Sequence, residues 1–194
     1  MPADAATPEI ILDLSRLLSR VRYDAPTGVD RVEMAYATHL GRMAPERLCF
    51  AAVHPSGAYG RLPRSEVEAF LDHTQQIWQG AKTRTSGTLR SKLDLINTLR
   101  RMAPRSGEAA VPEQFRPRVY LQASPHHLDR PGLVGKILIK EKAQFICLVH
   151  DLIPIEYEEY ARPNGANLHR RRMDTLIRFA DGVMANSEAT KASL

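Results

Sequence analysis

The sequence is poor in cysteine: Cys49 and Cys147 are the only two in 194 residues. Both lie inside apolar runs, Leu48-Cys49-Phe50 and Phe145-Ile146-Cys147-Leu148-Val149. Two isolated thiols supply neither a disulfide framework nor a zinc-ligand spacing, so they are expected to pack as small apolar side chains in a reducing cytosol. No apolar run approaches the roughly 20 residues needed to cross a bilayer. The start, Met1-Pro2-Ala3-Asp4-Ala5-Ala6, has neither a basic region nor an apolar stretch, so no secretory leader is expected. There is no Gly-x-Ser-x-Gly elbow and no phosphate-loop motif. His126, His127 and His169 have no regular ligand spacing to His150, which argues against a metal site. Internal repeats and low-complexity tracts are also missing.

What is present is enough apolar residue for a core, 43% of the chain, and a modest positive charge of +5. The charge is uneven. Lys82, Arg84, Arg90, Lys92, Arg100, Arg101 and Arg105 face a single acid, Asp94. Such a field favours phosphate, of nucleic acid or of an anionic membrane. Within that stretch Leu89, Leu93, Ile96, Leu99 and Met102 recur at helical spacing, so an amphipathic helix is expected, either packed on the domain or lying on a membrane surface. Stacking aromatics are lacking there, Trp78 being the nearest, which makes a nucleic-acid-binding module the weaker reading. The run His169-Arg170-Arg171-Arg172 reads as a solvated helix face, with phosphate contact as its functional alternative.

Short apolar runs at Glu9–Leu14, Leu48–Val53, Arg118–Gln122, Phe145–Val149 and Gly182–Ala185 read as strands. Helical spacing marks 29–40, 64–79, 133–142 and 165–180, the last with Met173, Leu176, Ile177 and Ala180 inward. Residues 15–28 read as irregular, ending in Pro26-Thr27-Gly28. Ser187 is an expected N-cap, with Glu188 in the first turn of a final helix. Alternating strands and helices imply an α/β fold: a Rossmann-like parallel sheet with helices on both faces and a largely helical insertion at about 55–117.

In such sheets ligands bind beyond the carboxyl ends of the strands. Polar side chains stand at each expected exit: Asp13 and Ser15, His54, Ser124, His150-Asp151, and Asn186-Ser187. His150 is the sharpest candidate, because imidazole exchanges a proton near neutral pH and Asp151 could orient or charge it. The plainer alternative is a satisfied, partly buried histidine.

Four segments together resemble the N-terminal half of GT-B-fold, retaining glycosyltransferases of the group 1 (family four) class, of the exopolysaccharide-building type. They are Leu12-Asp13-Leu14-Ser15-Arg16-Leu17, Pro26-Thr27-Gly28-Val29-Asp30-Arg31-Val32-Glu33, Val149-His150-Asp151-Leu152-Ile153-Pro154-Ile155-Glu156-Tyr157, and Asp181-Gly182-Val183-Met184-Ala185-Asn186-Ser187-Glu188-Ala189-Thr190. The resemblance implies an acceptor-side domain over residues 1–194, working with a C-terminal domain that holds a nucleotide sugar. It implies catalytic roles for His150 and, in support, Asp151. Thr27, Gly28, Asn186 and Ser187 would bind substrate, with no metal or other cofactor. A glycan or lipid-linked acceptor is expected, at the inner face of the membrane. The chain departs from the family at Tyr157-Glu158-Glu159, where Tyr-Pro-Glu is frequent. It also stops at Leu194 within the last helix, so the donor domain and its glutamate pair are not in it, and the chain alone is expected to be inactive. A free-standing binding or regulatory domain derived from such an enzyme is the alternative.

Overall fold

In the computed structural model, residues 7–20, 23, 25–54, 56–80 and 117–194 are described. The expected basic helix at 89–102, and with it the membrane contact through 82–105, lies outside them. None of the described helices is long and apolar enough to cross a membrane.

The protein has an α/β Rossmann-like fold with a mostly parallel sheet. The strands are β1 (Glu9–Asp13), β2 (Leu48–Val53), β3 (Tyr59–Leu62), β4 (Arg118–Gln122), β5 (Gln144–Val149) and β6 (Gly182–Ala185). Their order in the sheet is β3-β2-β1-β4-β5-β6. The helices are α1 (Ser15–Ser19), α2 (Gly28–Met43), α3 (Arg64–Trp78), α4 (Pro131–Glu141), α5 (Ile153–Glu156), α6 (Gly165–Phe179) and α7 (Glu188–Ser193), with a 3-10 turn at Glu158–Tyr160. The chain divides into two compact units, one of Met1–Ile11 with Arg116–Leu194, the other of Leu12–Phe115.

In the Leu12–Phe115 unit, β2 and β3 form an antiparallel hairpin, from Phe50 opposite Leu62 to Val53 opposite Tyr59. This hairpin is a correction, since the segment after His54 was expected to be helical insertion. Its turn is closed by the His54 amide donating to the Ala58 carbonyl (2.8 Å). Gly57 takes φ +88° there, a conformation that disfavours a side chain. The stretch after β1 is also more ordered than expected. It holds the short helix α1, fixed by Leu17 in the core and by an ion pair from Arg16 to Asp30 on α2 (2.7 Å). Periodicity finds α2 but not its buried face. That face is Asp30, Glu33, Met34 and Ala37, so two carboxylates sit where apolar side chains are the norm.

In the other unit β4, β5 and β6 are parallel, with Tyr120 opposite Phe145 and Val149 opposite Ala185. The Tyr120 and Phe145 rings pack 5.8 Å apart. Asp181 sets the register of the last strand: its carboxylate accepts the Phe145 amide (2.8 Å) while its own amide donates to the Phe145 carbonyl (2.9 Å). A Cβ on Gly182 would come within 2.8 Å of Ile146 Cδ1, so glycine permits this close pairing. Cys147 is wholly buried, and loss of hydration pushes its thiol up to about 12, leaving it an inert packing group. On α6 the expected inward stripe is corrected at Ile177, which is 84% exposed, whereas Thr175 and Leu176 are buried. Each residue turns the helix by about 100°, so the step from 176 to 177 crosses the edge of the buried face.

Candidate functional site

Of the five polar strand exits, two are closed. Asp13 and Ser15 are buried and bond to each other. The Ser15 hydroxyl donates to Asp13 (3.0 Å) and accepts the Val53 amide (2.8 Å). His54 is an exposed turn residue whose Nδ1 meets Ser56 Oγ (2.8 Å). Ser124 is fully buried, and its hydroxyl has no hydrogen-bond partner among the described residues. Beside it the Gln122 amide donates to the His126 carbonyl.

The exits of β5 and β6 stay open. Because Val149 lies opposite Ala185, His150 and Asn186 leave the sheet at one level. The His150 ring is held by Nε2 against the Ala123 carbonyl (2.9 Å). A carbonyl only accepts, so Nε2 carries a proton and donates it. Nδ1 has no hydrogen-bond partner among the described residues. The ring is thus oriented by main chain and not by Asp151. Successive residues leaving a strand project to opposite sides, and the half-buried Asp151 carboxylate makes no hydrogen bond among the described residues. The Asp151 carbonyl instead accepts His169 Nε2 (3.1 Å). Burial, then the charge of Arg172, holds the His169 imidazole below its ordinary pKa, and Asp151 only partly offsets them.

Ser187 caps α7 by accepting the Thr190 amide (3.1 Å). The Thr190 hydroxyl donates to the His150 carbonyl (3.0 Å), with Asn186 Oδ1 a second acceptor at 3.2 Å. That leaves Ser187 to donate to Thr190 (2.9 Å). This network ties the last helix to the backbone that carries His150. Thr190 was not singled out from sequence, although Ser187-x-x-Thr190 is a recognisable cap spacing. The Ala123 carbonyl has no side-chain signature at all.

Thr27 and Gly28 belong to the other unit, at the start of α2. Thr27 is its N-cap and forms a capping box with Asp30. The same hydroxyl accepts Arg16 Nη2 (3.1 Å). Burial raises the Asp30 pKa, but hydrogen bonds from Thr27 and the charge and hydrogen bond of Arg16 outweigh it, and the net shift is downward. Gly28 is exposed, and a Cβ added there would meet nothing within 4 Å. The fold itself therefore does not demand glycine at that position.

Among the described residues no three His, Cys, Asp or Glu side chains are gathered as a metal ion would need. No family model matches the chain, and neither does any curated protein or solved structure.

Proposed function

We propose that the chain is the acceptor-side half of a retaining glycosyltransferase. It would move a sugar from a nucleotide-sugar donor to a glycan or lipid-linked acceptor, in polysaccharide building. The observation that carries this reading is the open Nδ1 of His150 at the carboxyl end of parallel strands, level with Asn186. These residues fall in the two sequence blocks, His150-Asp151 and Asn186-Ser187, on which the resemblance rests most directly.

A neutral imidazole held through Nε2 presents Nδ1 as an acceptor for a sugar hydroxyl; protonated, it presents a donor to an oxygen gaining charge. The exposed Asn186 amide adds a donor, and Ser187 adds a hydroxyl already fixed by the cap. Such an array suits a polyhydroxyl ligand. Transfer with retention also needs the nucleotide leaving group held and its charge neutralised. In this reading a second domain, outside these 194 residues, does that, and Thr27 and Gly28 approach the donor phosphates.

The test is sugar transfer by the full enzyme, both domains present. His150→Ala is expected to lower turnover by about a hundredfold or more, the scale of acid–base and electrostatic groups. Near-normal turnover removes His150 from the site.

A further inference from the structure

Just beyond the β5 exit the chain carries an exposed aromatic pair that packing does not explain. Tyr160 is 78% and Tyr157 51% exposed, and Ile153 on the same short segment is 48% exposed. The two rings lie 6.4 Å apart, inclined at 50°. The backbone beneath them is anchored. The Tyr157 amide donates to the Ile153 carbonyl (2.8 Å) and the Tyr160 amide to the Tyr157 carbonyl (3.0 Å). Arg170 of α6 pairs with Glu158, which lies between the two tyrosines in sequence. Aromatic side chains gain by leaving water, so a fixed, uncovered pair with an aliphatic neighbour is a face prepared for a ligand.

The charge around the rings selects the ligand. Glu156, Glu158 and Glu159 are all exposed. Arg170 takes Glu158, while the carboxylates of Glu156 and Glu159 have no ion-pair or hydrogen-bond partner among the described residues. Anionic lipid or nucleic-acid phosphate would meet like charge here. A neutral sugar fits both features. One face of a pyranose is a layer of C–H bonds that packs on an aromatic ring, and its hydroxyls donate to carboxylates.

We propose that Tyr157 and Tyr160, flanked by Glu156 and Glu159, form a binding platform for a neutral glycan. Calling that glycan the acceptor rests on the glycosyltransferase reading; the platform itself does not.

The probe is an NMR titration of the full chain with maltohexaose, cellohexaose and mannohexaose, each to about 10 mM, the range of weak glycan contacts. The expected result is movement of the Tyr157–Tyr160 amide signals with at least one of them. Tyr160→Ala should weaken that binding by about tenfold, the value of one lost ring contact, and Tyr160→Phe should restore it. Exposed Tyr160 is removable without unfolding, which the melting temperature checks. Silence at these amides with all three sugars, or binding unchanged in Tyr160→Ala, overturns the platform. So does cosedimentation with phosphatidylglycerol vesicles that Tyr160→Ala abolishes, since the surface is then a membrane contact. The two readings fail separately. Glycan bound at Tyr160 without sugar transfer by the full enzyme sinks the transferase alone. His150-dependent transfer with no glycan at Tyr160 sinks the platform alone.

Discussion

Two turns that open a helix, one in each unit, treat their polar side chains in opposite ways. At the start of α2, Asp30 is fully buried and satisfied. It accepts Arg16 Nε (2.7 Å) and Arg20 Nε (3.3 Å) and the Thr27 amide (2.8 Å). At the end of β5, His150 is half-buried, held through one ring nitrogen, with the other unengaged among the described residues. The first turn spends its polar groups on structure. The second uses one backbone carbonyl, that of Ala123, to hold a side chain whose chemistry remains available. A carboxylate that already holds three donors has little left for a ligand; a ring held by a carbonyl through one nitrogen still has the other.

The comparison breaks most visibly at Asp30. Asp30→Ala removes the shared partner of two arginines and half the capping box, so a loss of about 3 kcal/mol in urea unfolding is expected. Asp30→Asn sharpens the point through pH. The folded-state pKa lies below the ordinary 3.8. Its stabilisation is therefore complete above that value and lost as pH falls through the lowered one. The native protein should lose stability in that acid window, and Asp30→Asn should show a shallower loss there. Equal slopes in the two proteins would mean that Asp30 is not held as an ion.

The next effect is smaller and belongs to the His150 side. Ser187→Ala removes an N-cap and loosens Thr190 under the His150 carbonyl. A cost of about 1 kcal/mol is expected, with faster amide exchange across 186–190. Unchanged exchange would show that the cap does not brace the turn. The smallest effect is at His169. Its folded pKa is lowered from 6.5, so its neutral form stabilises the fold fully above that pH, and the contribution fades as pH falls below it. Replacing it by Gln should flatten the stability profile just below pH 6.5 and leave the alkaline side unmoved. A profile identical to the native one would place its titration outside the folding equilibrium.

Much of the fold was legible in the sequence. Leu48–Val53, Arg118–Gln122 and Gly182–Ala185 form strands at the residues expected from their apolar runs. Ser187 caps the last helix as its side chain suggests. The β3 hairpin was not legible, because Tyr59-Gly60-Arg61-Leu62 has only four residues and an arginine within it. Nor were α1 or the turn after His150, whose helices are too short to show a period. The candidate site was half legible. His150, Asp151, Asn186 and Ser187 do reach the strand ends, yet the same polar pattern also marked Asp13, Ser15 and Ser124, which the fold buries. Parts of the blocks that carry the family resemblance also serve structure, as Asp181 does on β5 and Thr27 and Asp30 do on α2.

By itself the sequence determined the alternation of strands and helices, the cap at Ser187 and the polar strand ends, because periodicity and capping depend on neighbours a few residues away. Tertiary structure decided which strand ends are closed and which nitrogen of His150 is open. Those outcomes depend on partners far along the chain: Val53 reaches Ser15 across 38 residues, and Ala123 meets His150 across 27. A side chain's availability is fixed by what else can fill its hydrogen bonds, and that is known only once the chain has brought those partners together.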